Sequence, residues 1–168
     1  APAAGAGAAT DTAPVLVRDG STLNLVVRGI DDNLYRATKV GSNAWSAFAQ
    51  LTANARVKGR LAVALTRATG SGITEAHCVY PTDGGAVEYL RLNNWVPAGT
   101  QVWTDAIDAG IGSDGVGQVA VAVHRANQLR VERAVRNTRL GDWTFSLMGS
   151  RSGGGAGALV YDVSDPVF

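Results

Sequence analysis

The feature that most constrains this chain is an alternation of large apolar residues that recurs four times. It places them at every second position at Leu23, Leu25 and Val27, at Leu61, Val63 and Leu65, at Val119, Val121 and Val123, and at Leu159, Tyr161 and Val163. Successive side chains of a strand point to opposite faces, so each run reads as a strand with one apolar face. A helix would scatter the same residues around its surface. The first three runs are each followed by a turn-rich stretch (28–33, 67–72 and 124–128) and then by a β-compatible run beginning at Leu34, Ile73 or Leu129. Those onsets fall 11, 12 and 10 residues after the strand starts, which predicts three β-hairpins.

A tryptophan then closes each unit, because Trp45, Trp103 and Trp143 each precede the next alternating run by 16 residues. The runs recur after 38, 58 and 40 residues, and the long middle interval holds roughly 20 additional residues before Trp103. Within it, Pro81-Thr-Asp-Gly-Gly85 lies between Cys78-Val-Tyr80 and Ala86-Val-Glu-Tyr-Leu90, which predicts a further hairpin carrying Trp95. A unit of three or four strands cannot bury its faces alone and stacks on its neighbours. The expectation is one all-β domain over 14–168, with repeats at about 19–56, 57–114 and 115–154 and a final strand at 157–164. The small residues of 1–13 predict a disordered lead-in.

Composition limits the function classes. With 168 residues, 46% of them hydrophobic, the chain can build a sizeable core, while a net charge of +1 gives no footprint for nucleic acid. No stretch approaches the roughly 20 apolar residues of a membrane-spanning helix. The single cysteine, Cys78, cannot form an intramolecular disulfide or a CxxC site and reads as a buried thiol. The N-terminal run from Ala1 to Thr10 looks like a mature start left by a signal peptidase, so the expected location is extracellular. Arginine outnumbers lysine, and alanine and glycine abound, as in a chain from a GC-rich bacterial genome.

Leu25-Val-Val-Arg-Gly29, Asp31-Asp-Asn-Leu-Tyr35, Asn43-Ala-Trp-Ser-Ala-Phe48 and Gly141-Asp-Trp-Thr-Phe145 together resemble blades of the secreted β-propeller lectins, the tachylectin-like and fucose-binding families. The resemblance spans roughly 14–163 and implies propeller-like blades: three full repeats plus one strand. Because propellers close with four to eight blades, it also implies that the last strand completes a blade begun by the segment around Val15-Leu-Val17, that the chain is part of a larger array, or that homo-oligomerisation closes the ring, the favoured route. A β-trefoil is the alternative fold, suited to three tryptophans.

The candidate ligand-binding residues are Arg28, Trp45, Arg67, Glu75, Trp95, Trp103, Arg125, Glu132 and Trp143. The repeated indoles either pack between units as core or stack on sugar rings in equivalent pockets. Trp95, in the additional hairpin, reads as an exposed contact aromatic. The resemblance implies that an arginine, a glutamate and a tryptophan grasp the sugar hydroxyls, although the first unit lacks the glutamate. Otherwise these charges are solvated strand ends.

Catalytic and metal motifs are absent from the sequence. His77 and His124 lack metal-ligand spacing, Gly149-Ser-Arg-Ser-Gly153 has arginine where a nucleophilic serine would stand, and Gly153-Gly-Gly155 lacks the residues of a phosphate loop. Asp105, Asp108 and Asp114 either form turns or hold calcium. No catalytic residue, metal or cofactor is therefore expected. The expected function is non-enzymatic carbohydrate recognition through inter-blade pockets. The alternative is a secreted protein-binding module, such as a protease inhibitor or modulator, acting through the stretch from Tyr80 to Trp95.

Overall fold

The computed structural model describes residues 12–67, 72, 74–104, 106–115, 117–125, 130–137 and 143–150, with side chains as far as residue 124. It is all-β. Among the described residues twelve strands form three antiparallel four-stranded sheets, each a meander in chain order and none closed into a barrel. Sheet 1 holds β1 (Val15–Asp19), β2 (Thr22–Arg28), β3 (Leu34–Val40) and β4 (Ala49–Gln50). Sheet 2 holds β5 (Ala62–Arg67), β6 (Thr74–Pro81), β7 (Ala86–Asn93) and β8 (Val96–Thr104). Sheet 3 holds β9 (Ala106–Ser113), β10 (Gln118–Arg125), β11 (Arg130–Asn137) and β12 (Trp143–Ser150). A trefoil is built on a barrel, and three separate sheets do not supply one.

The three expected hairpins are present as β2–β3, β5–β6 and β10–β11, and the fourth as β6–β7 with Tyr80 opposite Glu88. The register of the repeat differs from the sequence reading. Leu61–Leu65 runs into β5, the first strand of its sheet, whereas Leu23–Val27 and Val119–Val123 lie in β2 and β10, the second strands of theirs. The shared 16-residue interval therefore crosses β9 after Trp103 but the segment containing β4 after Trp45. Nor does the middle unit carry an insertion, since its sheet has four strands like the others. What hid this was β9, Ala-Ile-Asp-Ala-Gly-Ile-Gly-Ser, whose small residues carry no large apolar alternation. The segment around Val15 is likewise the first strand of sheet 1, paired with β2. The final strand expected at 157–164 lies outside the described residues.

Sheet 2 lies between the other two. Ala76, Cys78, Tyr80, Leu90 and Leu92 meet Val26 and Leu34 of sheet 1, while Val79, Val87, Tyr89 and Trp103 meet Ala109, Ile111, Val119, Val121 and Val123 of sheet 3. This is why β6 is buried at every position from Thr74 to Tyr80. A strand covered on both faces loses its alternation and reads as a continuous run. Each fully enclosed Leu or Val adds about 1.5–3 kcal/mol of burial. Cys78 sits inside the first core, and burial pushes its thiol up to about 12, which leaves it inert.

The segment from Leu51 to Leu61 is held in the seam between sheets 1 and 2. Its amides bond to both: Leu51 N–H to Leu34 O at 2.8 Å, Val57 N–H to Asp32 O at 2.9 Å and Lys58 N–H to Pro81 O at 2.7 Å. The β2–β3 turn is equally tied down. Asp31 accepts from the Tyr35 hydroxyl at 2.7 Å and Asn33 Nδ2 at 2.9 Å, while Asn33 Oδ1 accepts the Ala55 N–H at 3.1 Å. A Cβ on Gly29 would lie 2.6 Å from Asp31 Oδ1 and from the Tyr35 ring, so a larger residue there would have to displace the bonded Asp31 and Tyr35 side chains.

Candidate functional site

Strand alternation decides which predicted residues can meet. Glu75 lies opposite Thr66 on β5, so Arg67, one residue on, projects from the other face. Arg67 turns toward sheet 1 and pairs with Asp19 at 2.9 Å, with 60% of its side chain exposed. The arginine that Glu75 does meet is Arg91 on β7, at 3.4 Å. Beside them His77 is fully enclosed, with Nε2 2.8 Å from Thr66 Oγ1 and Nδ1 2.8 Å from the Tyr89 hydroxyl. This polar cluster ties β5, β6 and β7 to one another within sheet 2.

The tryptophans occupy unlike places. Trp103, on β8, is 4% exposed and meets Tyr89 edge-on with ring centroids 6.3 Å apart. Trp45 is half-buried in the connection between β3 and β4. Trp95, expected on an exposed loop, is instead 8% exposed: it forms the β7–β8 turn with Asn94, and its ring lies 4.2 Å beneath the Arg36 guanidinium of sheet 1. Arg28 is tied to Asp32 at the β2–β3 turn, with Lys58 Nζ on the other Asp32 oxygen at 2.8 Å. Arg125, Glu132 and Trp143 belong to β10, β11 and β12, and their side chains lie outside the described residues. Asp114 is turn-forming, its Oδ1 accepting the Gly117 and Gln118 amides at 2.8 and 2.9 Å. Asp108 bonds to the Ala109 amide, and Asp105 is outside the described residues. Among the described residues no three His, Cys, Asp or Glu side chains converge on a metal position.

The sequence reading missed a cleft of about 200 Å³ between the 52–55 segment and strands β6, β7 and β8 of sheet 2. Ala53, Ala55, Leu90, Pro97 and the Tyr80 ring give it an apolar lining, and Thr52, Asn54, Glu88 and Thr100 supply polar groups. Tyr80 and Glu88 face each other across the β6–β7 pair, and the phenol donates a hydrogen bond to the carboxylate. Burial nonetheless holds the Glu88 carboxyl above the usual carboxylate range, with the Tyr80 hydrogen bond only partly offsetting it. Burial, with the neighbouring Glu88 charge behind it, pushes the Tyr80 phenol up as well. The only signal for this cleft in the sequence was the placement of Tyr80 and Glu88 on either side of Pro81–Gly85.

The sign of the Glu88 contribution follows from that shift. The folded state binds the proton more tightly than the unfolded chain, so the contribution is present below the ordinary carboxylate pKa and lost as pH rises through the raised value. Glu88→Gln should therefore raise the stability at neutral pH, by less than about 1 kcal/mol because the cleft is partly solvated, and the melting temperature with it. It should also flatten the pH dependence of unfolding between mildly acidic and neutral conditions, as read by thermal denaturation.

Compared with known proteins, the sequence matches no family model and no curated protein.

Proposed function

We propose that this chain is an extracellular, non-enzymatic recognition protein that binds a carbohydrate in the cleft between the 52–55 segment and sheet 2. The observation that carries this reading is the composition of the cleft. A pyranose presents one apolar C–H face and a rim of hydroxyls, and Pro97, Leu90 and the Tyr80 ring match the first while Glu88, Asn54, Thr52 and Thr100 match the second. A charged acceptor competes with water for hydroxyl donors better than a neutral one does. At about 200 Å³ the cleft suits a single sugar residue. Trp45, Trp95 and Trp103 are not among its lining residues.

The three sheets, in this reading, are blades of a propeller-type ring that further copies of the chain complete. The alternating run of each sheet supports it: Val63 and Leu65 face sheet 1, and Val119, Val121 and Val123 face sheet 2. In sheet 1 the corresponding residues, Leu23, Leu25 and Val27, lie on the face opposite Val26, and Leu16 beside them is 55% exposed. Light scattering reads such closure as a solution mass of two or more copies.

A protein ligand is favoured by one observation of its own. β8 is a nine-residue edge strand without a charged side chain, and Val96 and Val102 on it are exposed. Such an edge can accept an added strand. A glycan array separates the two readings. The carbohydrate reading predicts saturable binding to a defined glycan that Glu88→Gln weakens by about tenfold, the loss of one charge-assisted bond. An array silent for wild-type protein overturns it.

A further inference from the structure

At the end of the stacked sheets away from the β6–β7 turn, the β1–β2 turn, the last residues of β5, the start of β6 and Gly115 after β9 come together. They enclose a second cleft of about 330 Å³ that includes Arg18, Asp19, Thr66, Arg67, Thr74 and Gly115. The backbone builds it: the Arg67 N–H bonds to Gly115 O at 3.1 Å, and Ser113 Oγ donates to Leu65 O at 2.6 Å, which locks the third sheet's turn against β5. Arg18 Nε donates to Gly20 O at 2.8 Å and so holds its guanidinium over the turn. Arg67 reaches Asp19 through one terminal nitrogen, and Thr74 also donates to that carboxylate.

Charge and donors are both in excess here. Asp19 is a single carboxylate within reach of the charges of Arg67 and, from β3, Arg36, whose own nitrogens are engaged by Asn24 Oδ1 at 2.9 and 2.7 Å, and Arg18 lines the same cleft. The terminal nitrogens of Arg18 and the remaining nitrogens of Arg67 are hydrogen-bonded to no described residue. Guanidinium forks match the oxygens of carboxylate, phosphate and sulfate, and two arginines lining one cleft, from β1 and β5, against the single Asp19 carboxylate leave positive charge unmet there.

We propose that this cleft is an oxyanion-binding site in which Arg18 and Arg67 grip a small carboxylate- or phosphate-bearing ligand. Asp19 orients Arg67 and competes with the ligand for it. The site lies at the opposite end of sheet 2 from the β6–β7 turn that Tyr80 and Glu88 flank, and it stands or falls independently of the carbohydrate reading.

Calorimetric titration of the full chain with inorganic phosphate and with acetate, ionic strength held constant with sodium chloride, tests this. Saturable binding of at least one probe is expected, and comparison of the two tells a tetrahedral from a planar preference. Arg18→Gln and Arg67→Gln should each weaken it by about tenfold. Asp19→Asn should instead tighten it, because the competing charge goes while both guanidiniums remain; a purely structural ion pair would give no such gain. Arg18 takes part in no ion pair with a described residue, so its variant reads binding without a folding defect. No saturable binding of either probe, or affinity unchanged in both arginine variants, overturns the proposal.

Discussion

Trp95→Ala is expected to cost about 3–5 kcal/mol of stability, as befits the loss of a buried indole, and Trp95→Gly about 1 kcal/mol less. The order inverts the usual ranking of alanine above glycine. Asn94 and Trp95 both have positive φ, 46° and 64°, which makes the β7–β8 connection a two-residue turn of the left-handed kind that favours Asn-Gly. Tryptophan is a poor residue for that backbone, so something else keeps it there. The indole is buried in the core shared by sheets 1 and 2 with Arg36 stacked on it, a contact worth about 0.5–2 kcal/mol, and Asn94 N–H ties the same turn to Thr74 O at 3.0 Å. Alanine loses the packing and keeps the strained φ; glycine loses the packing and relieves the strain. Chemical denaturation of the two variants, compared at equal slope, checks the order. If the glycine variant proves less stable than the alanine variant, Trp95 does not hold this turn.

Trp103→Ala should cost a similar amount, about 3–5 kcal/mol, for a different reason. Its ring fills the space between sheets 2 and 3 against Tyr89, and Tyr89 in turn holds His77. Removing it leaves a cavity beside a hydrogen-bonded cluster that cannot collapse without breaking those bonds. Trp103→Phe should retain most of the stability. Trp45→Ala should cost about 1 kcal/mol or less, because that side chain is only half-buried at a sheet edge. Equilibrium unfolding of the three variants checks the ranking. Equal costs for Trp45→Ala and Trp103→Ala would mean that the repeated indoles play one role after all.

These two tryptophans show how far the sequence could be read. The all-β class and the hairpins followed directly from alternation, because Leu23–Val27, Leu61–Leu65 and Val119–Val123 each carry large side chains on one face. The unit boundaries did not, because β9 is built from alanine, glycine and isoleucine and β1 is short, so neither offers that pattern. The alternating runs were therefore aligned with one another although they fill different positions in their sheets. Burial was harder still. Trp95 reads as a loop residue from its neighbours Asn93, Asn94 and Pro97, and only the stacking of sheet 1 on sheet 2 encloses it. For the same reason Glu88 drew no notice: on its own strand it is one of several polar residues, and its setting is created by the 52–55 segment, more than thirty residues earlier in the chain.

The stacking of sheet 2 between its neighbours underlies both clefts, and amide hydrogen exchange tests it most directly. A strand covered on both faces opens only with the whole molecule, whereas an edge strand opens locally. The account predicts that the amides of β6 and β7 exchange slowest among the described strands, with β4 and β8 much faster. β6 exchanging as fast as β4 or β8 would contradict it.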